Sequence, residues 1–202
     1  MGPEAKPDRI TMTPAARRVL AAAARLFYER GIHAVGVDLI AAEAGVTKKT
    51  LYDRFGSKER IVVEYLADRD ERWRAVLTRY LDAAPPESPA RVLAVFDASI
   101  AWSRENGPKG CGMVNAHAEI SDASHPAYPL IVGQKKWMLA LFTRLVREFA
   151  PEEADRLGRA LVLLHEGALV AHGLKVFPDP IGSAREQARV LLAGAPRRDA
   201  GV

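Results

Sequence analysis

Gly45 separates two short runs of helical spacing, and no other feature of the chain narrows its fold so much. From Asp38 to Ala44 the positions Ile40, Ala41 and Ala44 share a face, and from Lys48 to Arg54 a second run sets Leu51 four residues before Phe55. A residue without a Cβ lets the backbone turn sharply between them, with Val46 closing the turn. Two short helices meeting in this way form a helix-turn-helix. The second run carries Thr47, Lys48, Lys49, Thr50, Tyr52 and Arg54, hydroxyls and cations set opposite its apolar pair. It can pack and present donors at once, which predicts a DNA recognition helix.

The flanking segments supply what so small a motif needs. Thr13 reads as an N-cap and Pro14 as the first helical residue, and Val19, Leu20, Ala23, Leu26 and Phe27 repeat at helical spacing up to Gly31. Arg17 and Arg18 in its early turns are either phosphate contacts or solvated cations. Ser57 reads as the cap of a long helix from Lys58 to about Ala83, stopped by Pro85 and Pro86. Its apolar stripe, Val62, Tyr65, Leu66, Trp73, Val76, Leu77 and Tyr80, is interrupted by the charged run Asp68-Arg69-Asp70-Glu71-Arg72. Five more helices are predicted over 89–105, 113–120, 126–149, 152–175 and 183–193. No strand alternation or repeat is present, so the chain is expected to be all-α with about nine helices.

Leu51, Tyr52, Phe55 and Lys58 together resemble the signature of TetR/AcrR-type repressors, a helix-turn-helix ending in Leu-Tyr-x-x-Phe with a Lys opening the next helix. The resemblance covers about residues 13–62. Two places depart from it: Val35-Gly36-Val37 stands where a Ser or Thr often opens the first short helix, and Lys49 where a Gly often precedes Thr-Leu-Tyr. The resemblance implies a three-helix DNA-binding domain over 13–57 and a larger helical domain over 58–195 for ligand binding and dimerisation. A flexible basic arm over 1–12 and a disordered tail over 196–202 complete the expected organisation. It further implies a cytoplasmic homodimer on a palindromic double-stranded DNA operator, its half-sites about 34 to 36 Å apart or a multiple of that. DNA contacts then fall to Thr47, Lys48, Lys49, Thr50, Tyr52 and Arg54, with Lys58 on a phosphate.

A repressor of this kind is released by a small hydrophobic effector. Trp73, Phe96, Trp102, Met113, Asn115, His117, Trp137, Phe142, His165 and Leu169 combine aromatic bodies with a few polar handles, the make-up of a ligand pocket, although each is also an ordinary core residue. The helix over 152–175 is apolar or small around most of its circumference. One line holds Leu157, Leu161, Leu164, Ala168 and Ala171, and another Ala160, Leu163, Gly167, Val170 and Leu174. A helix apolar all round must be covered on both sides. The predicted dimer interface takes Leu161, Leu164, His165, Ala168, Ala171 and His172 from it and Val190 and Leu191 from the last helix, with Gly167 and Gly173 allowing close approach.

Other chemistries lack their residues. A net charge of +4 and a pI of about 9.3 suit a polyanionic partner without establishing one. The single Cys111 excludes an intrachain disulfide framework and reads as a buried thiol. No apolar run is long enough to span a membrane. His165 and His172 share a face but have no Cys or carboxylate at zinc-site spacing, so no metal and no cofactor is expected. His117-Ala118-Glu119 resembles the His-x-Glu of zinc deaminases without the Pro-Cys-x-x-Cys that completes it. Gly107 to Gly112 follows a helix and lacks Gly-Lys-Ser/Thr, and no Gly-x-Ser-x-Gly is present. An enzyme is therefore not expected. A regulator without a small-molecule ligand and a small all-α enzyme remain as alternatives to the ligand-responsive repressor.

Overall fold

The computed structural model describes residues 9–194, so the tail expected over 196–202 and the first eight residues of the expected arm lie outside the described part. The helices are α1 (Pro14–Arg30), α2 (Val37–Glu43), α3 (Lys48–Phe55), α4 (Lys58–Ala83), α5 (Pro89–Asn106), α6 (Gly112–Glu119), α7 (Tyr128–Arg147), α8 (Ala154–Leu174) and α9 (Pro180–Ala193). A 3₁₀ turn at Pro151–Glu153 leads into α8, and no strand occurs among the described residues.

Local chemistry places most of the helix ends. Thr13 Oγ1 accepts from Ala16 N at 3.2 Å, Thr47 Oγ1 from Thr50 N at 3.1 Å, and Ser57 Oγ from Arg60 N at 3.1 Å. Gly45 turns the chain at φ +60. Helices α7 and α8 are one or two residues shorter at each end than expected, and two caps differ. Ser88 precedes α5, but its hydroxyl donates back to Pro85 O instead of capping the helix. Helix α9 begins at Pro180 rather than Ser183, because Asp179 caps it by accepting from Gly182 N at 3.1 Å and Pro180 takes the first helical position.

Two compact units are formed, one from the chain up to Asp70 with Gly112–Gln134, the other from Glu71–Cys111 with the chain from Lys135 onward. This division differs from the boundary expected at 57/58. In the first unit α1, α2, α3 and the first half of α4 enclose Val19, Leu26, Phe27, Ile40, Leu51, Phe55, Ile61 and Leu66, each at most 4% exposed. Every such side chain contributes roughly 1.5–3 kcal/mol by leaving water. The charged run of α4 is not a solvated face: Arg69 and Asp70 are 7% and 9% exposed. The Arg69 guanidinium lies 4.5 Å from the Tyr28 ring centre, and Gly112 makes room for it, since a Cβ there would stand 2.5 Å from Arg69 Nε. Glu64, fully buried, accepts from Arg9 Nε at 2.6 Å, Ile10 N at 3.2 Å and the Arg60 guanidinium at 2.9 Å. Arg9 and Ile10 are thus tied to α4 and are no part of a free arm.

In the second unit Trp73 and Leu77 of α4, Phe96 of α5, Met138, Phe142 and Leu145 of α7, Leu157 and Leu161 of α8, and Ala188 and Leu192 of α9 form one continuous core. The loop at Lys109-Gly110 lies directly on α8. A Cβ on Gly173 would come within 2.7 Å of Lys109 O, and one on Gly110, at φ +75, within 2.5 Å of Leu169 O. The small size of Gly173 therefore serves this chain's own loop and not the approach of a second copy. Gly110→Ala meets both a left-handed backbone and a backbone oxygen. It is expected to destabilise the protein by about 2 kcal/mol or more, read from the midpoint of denaturant unfolding.

Candidate nucleic-acid interface and regulatory site

Helix α3 is held by Leu51 and Phe55, at 0% and 4% exposure, and everything opposite them faces solvent. Thr47, Lys48, Lys49, Tyr52 and Arg54 are exposed, while Thr50 and Lys58 are half-buried. Thr47 and Thr50 join their hydroxyls at 2.9 Å, which fixes the start of the helix. The cations are not idle in the free protein: Lys48 pairs with Asp38 of α2 at 2.9 Å and Lys49 with Asp53 one turn on at 2.9 Å. The hydrogen bond that Lys48 donates to Asp38 holds its ammonium above the ordinary pKa. Exposed pairs of this kind contribute little, so a phosphate can replace either carboxylate at small cost. Gly36 caps α2 without a side-chain hydrogen bond, the consequence of the missing hydroxyl seen in the sequence.

The ten residues expected around an effector are divided between the two units. Met113, Asn115 and His117 belong to the first unit, where Met113 is buried and Asn115 and His117 are exposed, His117 stacking on Tyr128 at 5.9 Å. In the second unit Trp73 meets Trp102 edge-on at 6.0 Å, and Trp137 lies under the Arg74 guanidinium at 3.7 Å. Phe96, Phe142 and His165 converge with ring centres 5.7 to 5.8 Å apart, and Leu169 is buried in the same core. An open cleft of about 620 Å³, lined in part by Tyr80, Leu93, Asp97, Ile100, Arg104 and Arg185, contains none of the ten.

His165 is the start of a polar chain that periodicity did not reveal. Ser99 donates its one proton to Val95 O at 2.9 Å, so its oxygen accepts from His165 Nε2 at 2.8 Å. On the other side His165 Nδ1 faces Glu166 Oε1 at 3.5 Å, and Glu166 takes Lys135 Nζ on both oxygens at 2.8 and 2.9 Å. Lys135 Nζ also donates to Cys111 Sγ at 3.0 Å, so this thiol is half-buried and partnered. Burial alone would push the Glu166 carboxyl up, but His165 and Lys135 outweigh it and bring it down to about 2. Burial opposes the charge on Lys135 as well, and Cys111 and Glu166 overcome it, holding the ammonium above its ordinary value. The signal in the sequence was a Glu beside a His on an otherwise apolar helix.

The first apolar line of α8 is in part covered by this chain's own core, and the second is the more open of the two. Leu161, His165 and Ala168 are 0%, 3% and 6% exposed, inside this chain's own core, so they are not open to a second copy. Leu164, Ala171, His172 and Leu191 are half-buried, and Val190 is exposed. The open line is the other one: Leu163 and Leu174 are each 72% exposed, with Val170, Val176 and Phe177 beside them, and nothing lies within 4 Å of a Cβ built on Gly167.

The sign of the Glu166 shift sets a pH dependence. A carboxyl depressed in the folded state contributes stability that is present above its unfolded pKa, near 4.5, and is lost as pH falls toward about 2. Wild-type protein is therefore expected to lose stability across that window, and Glu166→Gln to show a flatter profile there. At neutral pH Glu166→Gln leaves Lys135 short of its counter-charge, at a cost of roughly 1–3 kcal/mol. Urea unfolding at a series of pH values measures both.

The sequence model for bacterial regulatory proteins of the tetR family matches residues 19–65, the reading unit up to the start of α4. A TetR-family transcriptional regulator from Streptomyces coelicolor of known structure is 32% identical, with a TM-score of 0.85 covering 92% of this chain and 91% of that one. YxaF, an uncharacterized HTH-type transcriptional regulator of Bacillus subtilis, is 26% identical over 178 residues, 87% of this chain and 93% of that one. BetI, an HTH-type transcriptional regulator of Agrobacterium fabrum, is 26% identical over 87% of this chain and 85% of its own length. None of the described helices is long and apolar enough to cross a membrane. With the helix-turn-helix, the all-α architecture and a relative this similar over nearly its whole length, the chain belongs to the TetR family of DNA-binding transcriptional regulators.

Proposed function

We propose that the protein is a homodimeric repressor that holds a palindromic operator and is released by a small hydrophobic effector. The observation that carries the reading is the exposed apolar line of α8, Leu163, Val170 and Leu174, continued by Val176, Phe177 and, on α9, Val190. So large an apolar surface is costly in water unless covered, and a second copy of the same line covers it by two-fold symmetry. Two copies present two α3 helices, which is what a palindrome requires. Thr47, Lys48, Lys49, Thr50, Tyr52 and Arg54 divide between base edges and phosphates, and Lys58 takes a phosphate at the start of α4.

The effector site we assign to the second unit centres on Phe96, Phe142 and His165, whose buried Nδ1 makes no short hydrogen bond and has only Glu166 Oε1, 3.5 Å away, facing it. That atom suits an apolar ligand carrying one hydrogen-bonding group. Helix α4 is common to the reading unit and the regulatory unit, so an effector that favours a different set of α4 changes the spacing of the two α3 helices. A coupling of about 1–3 kcal/mol between the sites is the usual size of such an effect.

Leu163→Glu combined with Leu174→Glu is expected to yield a folded monomer, because both positions are 72% exposed in the single chain. Sedimentation measures the assembly, and the monomer is expected to bind a two-half-site duplex at least about a hundredfold more weakly than wild type. A dimer that survives both substitutions sinks this placement of the interface. Lys58→Ala is expected to weaken binding to all sequences alike and to lower the slope of log affinity against log salt by about 1. A relaxed sequence preference with an unchanged slope would instead assign Lys58 to a base.

A further inference from the structure

Glu119, the last residue of α6, spends both carboxylate oxygens on the loop that follows α1. Oε1 accepts the backbone N–H of Ile32 at 2.8 Å and Oε2 that of His33 at 2.7 Å. Gly31, the C-cap of α1 at φ +90, leaves the space for it: a Cβ there would stand 3.1 Å from Oε1 and 3.2 Å from Oε2. Neither N–H belongs to a helix, since α1 has ended at Arg30 and α2 opens only at Val37. Without the carboxylate the N–H of Ile32, a residue 5% exposed, is an orphan donor, and that of His33, an exposed residue, is left to water.

Local preference does not put an acid here. The C-terminal end of a helix is the negative end of its dipole, so a carboxylate is repelled by the helix that carries it. Two charge-assisted bonds to amides more than 80 residues earlier offset that repulsion. Because both hydrogen bonds reach backbone, with the His33 ring only at ion-pair distance, Nδ1 lying 3.8 Å from Oε2, they fix the path of the main chain as it leaves α1, and with it the direction in which α2 starts. Helix α3 follows α2 through the tight turn at Gly45, so the aim of the reading pair depends on where Glu119 holds the loop. Gly112–Gln134, which includes α6, falls in the same compact unit as α1, α2 and α3.

We propose that Glu119 is a positioning residue for DNA binding, which sets the placement of α2 and α3 through the backbone of Ile32 and His33 without touching DNA itself. The proposal rests on the reading of α3 as the DNA-contacting helix. Its test compares wild type, Glu119→Ala and Glu119→Gln, as full-length protein, on a duplex selected by the wild type from a random-sequence library. Affinity is measured as a function of salt, and amide hydrogen exchange is followed at Ile32 and His33. Glu119→Ala is expected to lower affinity about tenfold or more, with Glu119→Gln, which keeps one acceptor, in between. The salt slope should stay that of wild type, since no phosphate contact is lost, and exchange at the two amides should speed up while the core helices stay protected. A residue with a merely structural role loosens the fold without weakening DNA binding by the folded variant. Should Glu119→Ala fold poorly, Glu119→Gln carries the comparison. Wild-type affinity in a folded variant whose two amides exchange faster overturns the proposal, as does unchanged exchange at both amides. A wild-type protein that selects no duplex overturns the DNA-binding reading itself, and the proposal with it.

Discussion

A helix as short as α3 does not hold itself together in water, because nucleating a turn costs more than so few hydrogen bonds return. Its existence depends on the burial of Leu51 and Phe55 against α1 and α2. That dependence explains the arrangement of the whole first unit. Because two apolar side chains on one face suffice to hold the helix, the opposite face is left to cations, hydroxyls and the single carboxylate of Asp53. Because the helix has no stability to spare, its start is fixed by Thr47 and its supporting loop by Glu119. The reading surface is thus positioned by neighbours and not by its own propensity, which makes those neighbours part of its function.

The charges of the first unit sort into two kinds that behave differently. Glu64 is fully buried and surrounded by the donors of Arg9, Ile10 and Arg60, so removing both arginines would leave an uncompensated charge in the interior. Lys48–Asp38 and Lys49–Asp53 lie in solvent and exchange partners readily. Buried pairs therefore fix the shape of the unit, and exposed pairs keep the cations of α3 extended without committing them. Asp38 and Asp53 also set a threshold, since a polyanion has to displace each of them before it gains the lysine.

Much of this was legible in the sequence, and what was missed has a common cause. Local signals are legible: Gly45 at positive φ, the caps Thr13 and Ser57, both ends of α4, and the all-helical class all follow from interactions within a few residues. The misreadings concern which side of an element faces which neighbour. The run Asp68 to Arg72 interrupts the apolar stripe of α4, yet Arg69 and Asp70 are buried, Arg69 against Tyr28 and Gly112, which are distant in sequence. The two lines of α8 are both apolar, so periodicity identifies them without telling inside from outside, and the line with the most leucines in it, Leu157, Leu161 and Leu164, turned out to face largely inward. Asp179 was passed over as a cap because it lies in a Pro-Asp-Pro run that composition marks as a connection.

The same reasoning bears on the second unit, where composition marked ten aromatic and polar residues and geometry keeps only some of them together. Phe96, Phe142 and His165 meet because α5, α7 and α8 each direct one large side chain to the same level of the core. An imidazole in that company is expensive unless both nitrogens are used. Nε2 is satisfied by Ser99, whose own proton goes to the helix backbone. Nδ1 faces a carboxylate that Lys135 already holds on both oxygens, so Glu166 has little left to offer the ring. A core built for stability alone would place a leucine here. The ring, its hydroxyl partner and the carboxylate–ammonium pair behind it form a polar line leading from the centre of the core to the half-buried Cys111, and a ligand that engages Nδ1 would shift the balance of every bond along it.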